Sequence, residues 1–115
     1  MQADVSAVAV DAGGNVYIGG KFSEAGGTKV SGIARWDGKL WSPLGSGMDG
    51  LVKAMVVDAA GNLYAGGSFT VAGGVTAKHV ARWNGSQWSA LGGGMNGSVE
   101  SLVLDGAGQF YRLQK

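Results

Sequence analysis

The segment NVYIGGKF at residues 15–22 returns, 47 positions later, as NLYAGGSF at residues 62–69. Each copy alternates like a strand. Tyr17 and Gly19 fall on one face, with Val16, Ile18, Gly20 and Phe22 on the other. Working outward, the offset holds without insertion or deletion: residues 5–48 align with residues 52–95, and 24 of the 44 positions are identical. Asp11, Gly14, Asn15 and Tyr17 return as Asp58, Gly61, Asn62 and Tyr64, and Trp36 and Trp41 return as Trp83 and Trp88. A third copy begins with Val99, Leu104, Asp105, Gly108 and Tyr111 in register. The chain therefore holds two complete units and part of a third.

Each unit reads as four short strands. SAVAV is the first, ended by an Asp-x-x-Gly-Asn turn in which Asp11 or Asp58 accepts bonds from the backbone ahead and glycine supplies positive φ. NVYIGGKF is the second, followed by a loop of about ten residues. IARW and KLWSPL are the third and fourth, joined through Asp37-Gly38, or Asn84-Gly85 in the second copy, a strong hairpin signal. No window carries a helical apolar period, so the expected class is all-β. Four antiparallel strands in a unit of this length is the blade of a β-propeller. The expected division is blade one at 2–48, blade two at 49–95, the first two strands of a third at 96–111, and a tail at 112–115. Glycine makes up 23 of 115 residues, about three times the usual share. The pairs Gly19-Gly20 and Gly66-Gly67 are expected to offer a flat surface to the indoles of a neighbouring blade.

The remaining composition excludes function classes. Nine basic residues are scattered against eight acidic ones, so a nucleic-acid footprint or a membrane-surface patch is not expected. There is no cysteine, which removes disulfides, zinc–thiolate sites and thiol catalysis together. No apolar run reaches membrane-spanning length, and MQADVSAVAV lacks the basic start and continuous apolar core of a signal peptide.

The Tyr-x-Gly-Gly strand, the strand before a tight turn and the tryptophan strand together resemble the kelch-type blade. The closer likeness is to bacterial surface and secreted propeller repeats of the form Asn-Leu-Tyr-x-Gly-Gly-x-Phe, Ala-Arg-Trp-Asn-Gly, Trp-Ser-x-Leu-Gly. The repeat length is also similar to that of tachylectin-type lectins, from which no sugar site is carried over. The resemblance implies a propeller fold, a secreted or cell-surface setting and a binding or scaffold role. Natural rings have roughly four to eight blades, so two and a part must be completed by missing sequence or by further copies. A homo-oligomer is expected, with a trimer preferred, because two blades from each of three chains close a six-bladed ring with cyclic symmetry.

Several residues are candidates for contact with a ligand. The indoles of Trp36, Trp41, Trp83 and Trp88 suit sugar stacking, although the reading we prefer has them filling the space between blades. Arg35 and Arg82 suit a carboxylate or phosphate, against the simpler assignment that they lie along a sheet and pair with nearby Asp or carbonyl groups. Lys29, Lys78 and His79 lie in the loop that differs at every position over 28–33 and 75–80, and are expected at a binding rim. Asp11, Asp58 and Asp105 read as turn residues, not calcium ligands. Glu24 and Glu100 are the only glutamates and are not equivalent, so no glycosidase-like pair repeats. No metal, cofactor or enzymatic activity is expected. The leading function is a non-enzymatic module for glycan or protein. The alternatives are an excised or engineered fragment that self-assembles, and a propeller-framed enzyme.

Overall fold

The strands form where small, β-branched and aromatic residues alternate, and they end at Asp, Asn and Gly. A computed structural model describes residues 4–58, 60–90, 99–104 and 110–114, the last two groups and Asp4 by backbone alone. The first unit contains β1 (Asp4–Val10), β2 (Val16–Lys21), β3 (Glu24–Ala25), β4 (Thr28–Lys29), β5 (Ile33–Trp36) and β6 (Trp41–Pro43). The second repeats it with β7 (Val52–Val57), β8 (Leu63–Gly67), β9 (Val71–Ala72), β10 (Val75–Thr76), β11 (Val80–Trp83) and β12 (Trp88–Ala90). β13 (Val99–Leu104) and β14 (Phe110–Gln114) follow. Every described element is a strand, and no described helix is long and apolar enough to cross a membrane.

Each complete unit is a four-stranded antiparallel meander, in the orders β1-β2-β5-β6 and β7-β8-β11-β12. The register repeats to the residue. Val5 pairs with Gly20 and Ala7 with Gly19, leaving Ser6 bulged out; Val52 and Ala54 repeat this around Lys53, and Val99 and Ser101 around Glu100. β14 runs on through Arg112, Leu113 and Gln114, residues that the repeat comparison leaves as a tail. Their side chains depart from the repeat, but their backbone finds the same edge on β13 that Gly66 and Gly67 find on β7. Asp105 and Gly108 lie outside the described residues.

Turn chemistry closes the sheets at one end. Asp11 Oδ1 accepts from the Gly13 and Asn15 amides at 2.9 Å each, and Asp58 Oδ1 accepts from Ala60 and Asn62 at 3.0 and 2.9 Å. The β5–β6 connection spans four residues, since Trp36 pairs with Trp41. It is not a two-residue turn because Asp37 Oδ1 accepts from the amides of both Lys39 and Leu40, and Asn84 Oδ1 from Ser86 and Gln87. At the opposite end, the expected ten-residue loop contains a small hairpin. Ala25 pairs with Thr28 across Gly26-Gly27, both at positive φ, and Ala72 pairs with Val75 across Gly73-Gly74.

Two cores result from the two faces of the sheets. Ala7, Tyr17 and Ile33 on one face of the first unit meet Met55, Leu63, Ala65, Ala81, Trp83 and Trp88 on the opposite face of the second. Ile18, Phe22, Ala25, Val30 and Ala34 form a smaller cluster on the far side of the first unit, with Val16 and Trp41 partly buried against it. β1 and β7 run side by side at the seam, where the Ser6 hydroxyl donates to the Val52 carbonyl. β13 in turn lies against β7 and β8.

Gly19 serves this seam differently from the expectation. A Cβ there would sit 2.7 Å from Val52 Cγ1 and 2.9 Å from its Cβ, so the glycine admits a β-branched residue of the next unit's first strand, not an indole. The glycines pressed hardest against the indoles lie in the small hairpins, while Gly45, after β6, meets Trp88 and Trp83 of the second unit more loosely, with a Cβ there 3.5 and 3.6 Å from the rings. A Cβ on Gly73 would come within 2.5 Å of Trp88 Cδ1, and one on Gly26 within 2.9 Å of Trp41 Nε1. The sheet-face expectation fails because it counts only strand glycines. The hairpin folds back over the indole of its own unit, and its left-handed φ near 56° already demands glycine.

Candidate functional site

The four tryptophans form two cross-strand pairs on equivalent faces. Trp36 and Trp41 have ring centroids 5.2 Å apart at 47°, and Trp83 and Trp88 have them 5.4 Å apart at 53°. Their surroundings differ. Trp83 and Trp88 are 7% and 5% exposed within the seam, and Trp88 Nε1 donates to the Leu44 carbonyl of the preceding unit at 2.8 Å. That leaves little ring surface for a sugar to stack on. Trp36 and Trp41 are half-buried. A shallow hollow of about 310 Å³ beside Trp83 and Trp88 is rimmed by Ser86, Gln87 and Val75.

Arg35 and Arg82 sit on the other sheet face, each cross-strand from a tyrosine: Arg35 from Tyr17, Arg82 from Tyr64. The tyrosine hydroxyls donate to Asp11 Oδ2 at 3.3 Å and Asp58 Oδ2 at 2.9 Å, and the Asn15 and Asn62 amides donate to the same oxygens. Each unit thus holds an Asp–Asn–Tyr–Arg cluster at its turn end. Burial pushes the Asp11 and Asp58 carboxyls up, but the bonds from the Asn side chain and backbone and the Tyr hydroxyl outweigh it, so both lie below the usual carboxylate range. Burial, together with the adjacent carboxylate, raises Tyr17 and Tyr64, against a smaller opposite pull from Arg35 and Arg82. The Nε atoms of Arg35 and Arg82 are buried without an acceptor among the described residues. The tyrosine in this cluster escaped the sequence reading; its spacing of six from the aspartate, repeated in both units, is the signal that marks it.

At the loop end, a cleft of about 430 Å³ opens between the two units. Its walls are Lys21, Phe22 and Ser31 of the first unit, with Met48 and Asp49 of the linker, and Gly20, Gly32 and Gly50 leave its floor free of side chains. The linker is fixed by the second unit. Asp49 Oδ1 accepts from the Thr70 and Val71 amides at 2.7 and 2.9 Å, its Oδ2 accepts from the Thr70 hydroxyl at 2.8 Å, and Met48 bridges to Ala72. Burial raises the Asp49 carboxyl, and these bonds more than reverse it.

None of the loop residues expected at a rim lines this cleft. Lys29 is exposed on β4, opposite Glu24; Lys78 is exposed in the second unit's loop. His79 is half-buried at φ 71°, where the first unit has Gly32 at φ 74°. Its backbone explains the conformation, since its N–H donates to the Phe69 carbonyl and its own carbonyl accepts from Gly67. Lys29 belongs to the first unit's small hairpin, and Lys78 and His79 to the loop that follows the second unit's, so the three do not converge. No group of three or more acidic, histidine or cysteine side chains that could hold a metal occurs among the described residues. No protein-family model matches the chain, and no curated protein is similar to it.

Proposed function

We propose that the chain is a run of kelch-like β-propeller blades, from a secreted or cell-surface setting, that serves as a non-enzymatic binding or scaffold module. The observation that carries this reading is the cleft between the two units at the loop end. It lies between the first unit and the connection that leads into the second, and Ser31 and Gly32 of the loop that diverges over 28–33 line it. A rigid repeated frame with divergent loops at one end suits recognition. Lys21 supplies a cation at the mouth of the cleft, and Phe22 and Met48 an apolar wall. The ligand class is a glycan or an extended protein segment that lies across the glycine floor and meets Lys21.

The test is an amide-shift titration of the labelled chain against neutral and acidic oligosaccharides and short acidic peptides. The expected perturbations cluster at Lys21, Phe22, Ser31 and Gly50, and Lys21→Ala weakens binding of the acidic ligands. Perturbations confined to the turn end, around Gly14 and Gly38, would overturn the site. So would a panel that leaves every loop-end amide unmoved.

A further inference from the structure

The outward face of the first sheet is a copy of a surface that is buried elsewhere in the same chain. Val8, Ile18, Ala34 and Trp36 with Trp41 occupy the register positions of Met55, Ala65, Ala81 and Trp83 with Trp88. In the second unit these residues form the seam with the first, and Met55 is 7% exposed. In the first unit Val8 is 57% exposed and Val10 59%, and Trp36 and Trp41 are half-covered. The residue types match; among the described residues no other unit's sheet lies against this face of the first sheet. Among the described residues, the hydrogen bond that Trp88 makes to Leu44 likewise has no counterpart at Trp41.

The chain also carries the complementary face a second time. The first unit covers its neighbour with Ala7, Tyr17, Gly19 and Ile33; the second unit repeats these as Ala54, Tyr64, Gly66 and Val80. β13 lies against the inner strands β7 and β8 of that face. Among the described residues the β13–β14 sheet has two strands, with none equivalent to β5 and β6 and no tryptophan pair to set against the outer strands β11 and β12. It also carries Leu113 where Gly19 and Gly66 stand, and a Cβ at Gly19 would overlap Val52. The β13–β14 end is therefore the poorer surface on which to seat another sheet.

We propose that a second copy of this chain docks head to tail, its first sheet seated through Val8, Val10, Trp36 and Trp41 on the second sheet of the copy before it. The incoming β1–β2 takes the place of β13–β14, and the Trp36/Trp41 pair covers β11 and β12. The contact is heterologous, so it repeats until it closes. The contact follows from the equivalence of the two sheets. The copy number rests on the propeller reading, under which two sheets from each of three chains close a six-sheet ring.

Because the chain has no cysteine, the contact can be read by single-cysteine cross-linking of the full chain. Ser6 lies beside Val52 across the existing seam, so position 53 of one copy is predicted beside position 5 of the next. Val5→Cys and Lys53→Cys variants, mixed and oxidised, are expected to give the 5–53 cross-link at least about tenfold above either variant alone at about 100 µM. Val8→Glu with Val10→Glu, at positions already exposed, is expected to abolish it while far-UV dichroism stays unchanged; the Lys substitutions at the same two positions serve as a second pair. Preferential 5–5 cross-links would overturn the proposal in favour of two first sheets meeting face to face. A cross-link indifferent to the charged variants, or none above background, overturns it outright. A three-chain species by native mass spectrometry is expected; a three-chain species lost on introducing Glu at Val8 and Val10 ties the count to this face, and a folded single chain at that concentration refutes both.

Discussion

The two complete units are nearly the same sequence in two environments. Trp83 and Trp88 stand between two sheets, and Trp36 and Trp41, with the same partners on the same strands, stand on one side of a single sheet. Intrinsic strand preference and turn chemistry are matched between them, so whatever differs in stability comes from the cover. A pair of indoles is worth little as a feature of a strand and much as the filling of a seam.

The largest expected effect follows from that contrast. Trp88→Ala removes a buried indole and leaves the Leu44 carbonyl without its donor, and should cost about 3–5 kcal/mol. Trp41→Ala removes a half-buried ring and should cost about 1–2 kcal/mol. Urea midpoints at low protein concentration measure both, and equal losses would break the comparison. Next come the hairpin glycines. Gly73→Ala forces a left-handed alanine against an indole that cannot move, at a cost of roughly 2–4 kcal/mol. Gly26→Ala imposes the same strain, but Trp41 is only half-buried and more easily displaced than Trp88, so roughly 1–2 kcal/mol is expected.

Smaller effects test the turn clusters, which are alike in the two units. Asp11→Ala or Asp58→Ala should cost on the order of 1–2 kcal/mol, since each carboxylate accepts four bonds at a partly solvated site. The folded state lowers both carboxyl pKa values, so their contribution is present above the unfolded value and is lost as pH falls below about 4. Tyr17 and Tyr64 are raised, so theirs is present below about pH 10 and is lost as pH rises beyond it. Stability curves of Asp11→Asn with Asp58→Asn should flatten on the acid side; an unchanged acid limb would remove these aspartates from the account. The smallest effect is at His79. Glycine, as at Gly32, relieves the left-handed backbone and should stabilise by up to about 1 kcal/mol in the thermal midpoint.

Much of the fold was legible in the sequence, because both of its periodicities are local. The alternation of NVYIGGKF sets the faces, and the offset of 47 sets the unit. The small hairpins were hidden inside a loop too short in apolar residues to alternate, although Gly26-Gly27 between Ala25 and Thr28 marks the turn. The site was less legible. Nothing local in Gly19 says that Val52 approaches it, and nothing local in Lys21 says that Asp49 lies across a cleft, because both follow from how one unit is set against the next. The same reason separates Lys29 from Lys78 and His79, which lie in the corresponding loops of two units and not in one place.

The central claim is that the indole of Trp41 is that of Trp88 without its cover. Hydrogen exchange of the two side-chain N–H groups, followed by NMR across a dilution series, tests it most directly. Trp88 is predicted to exchange slowly at every concentration, held by the Leu44 carbonyl, and Trp41 to exchange fast in dilute solution and slowly once copies dock. Trp88 exchanging as fast as Trp41 in dilute solution would contradict the account.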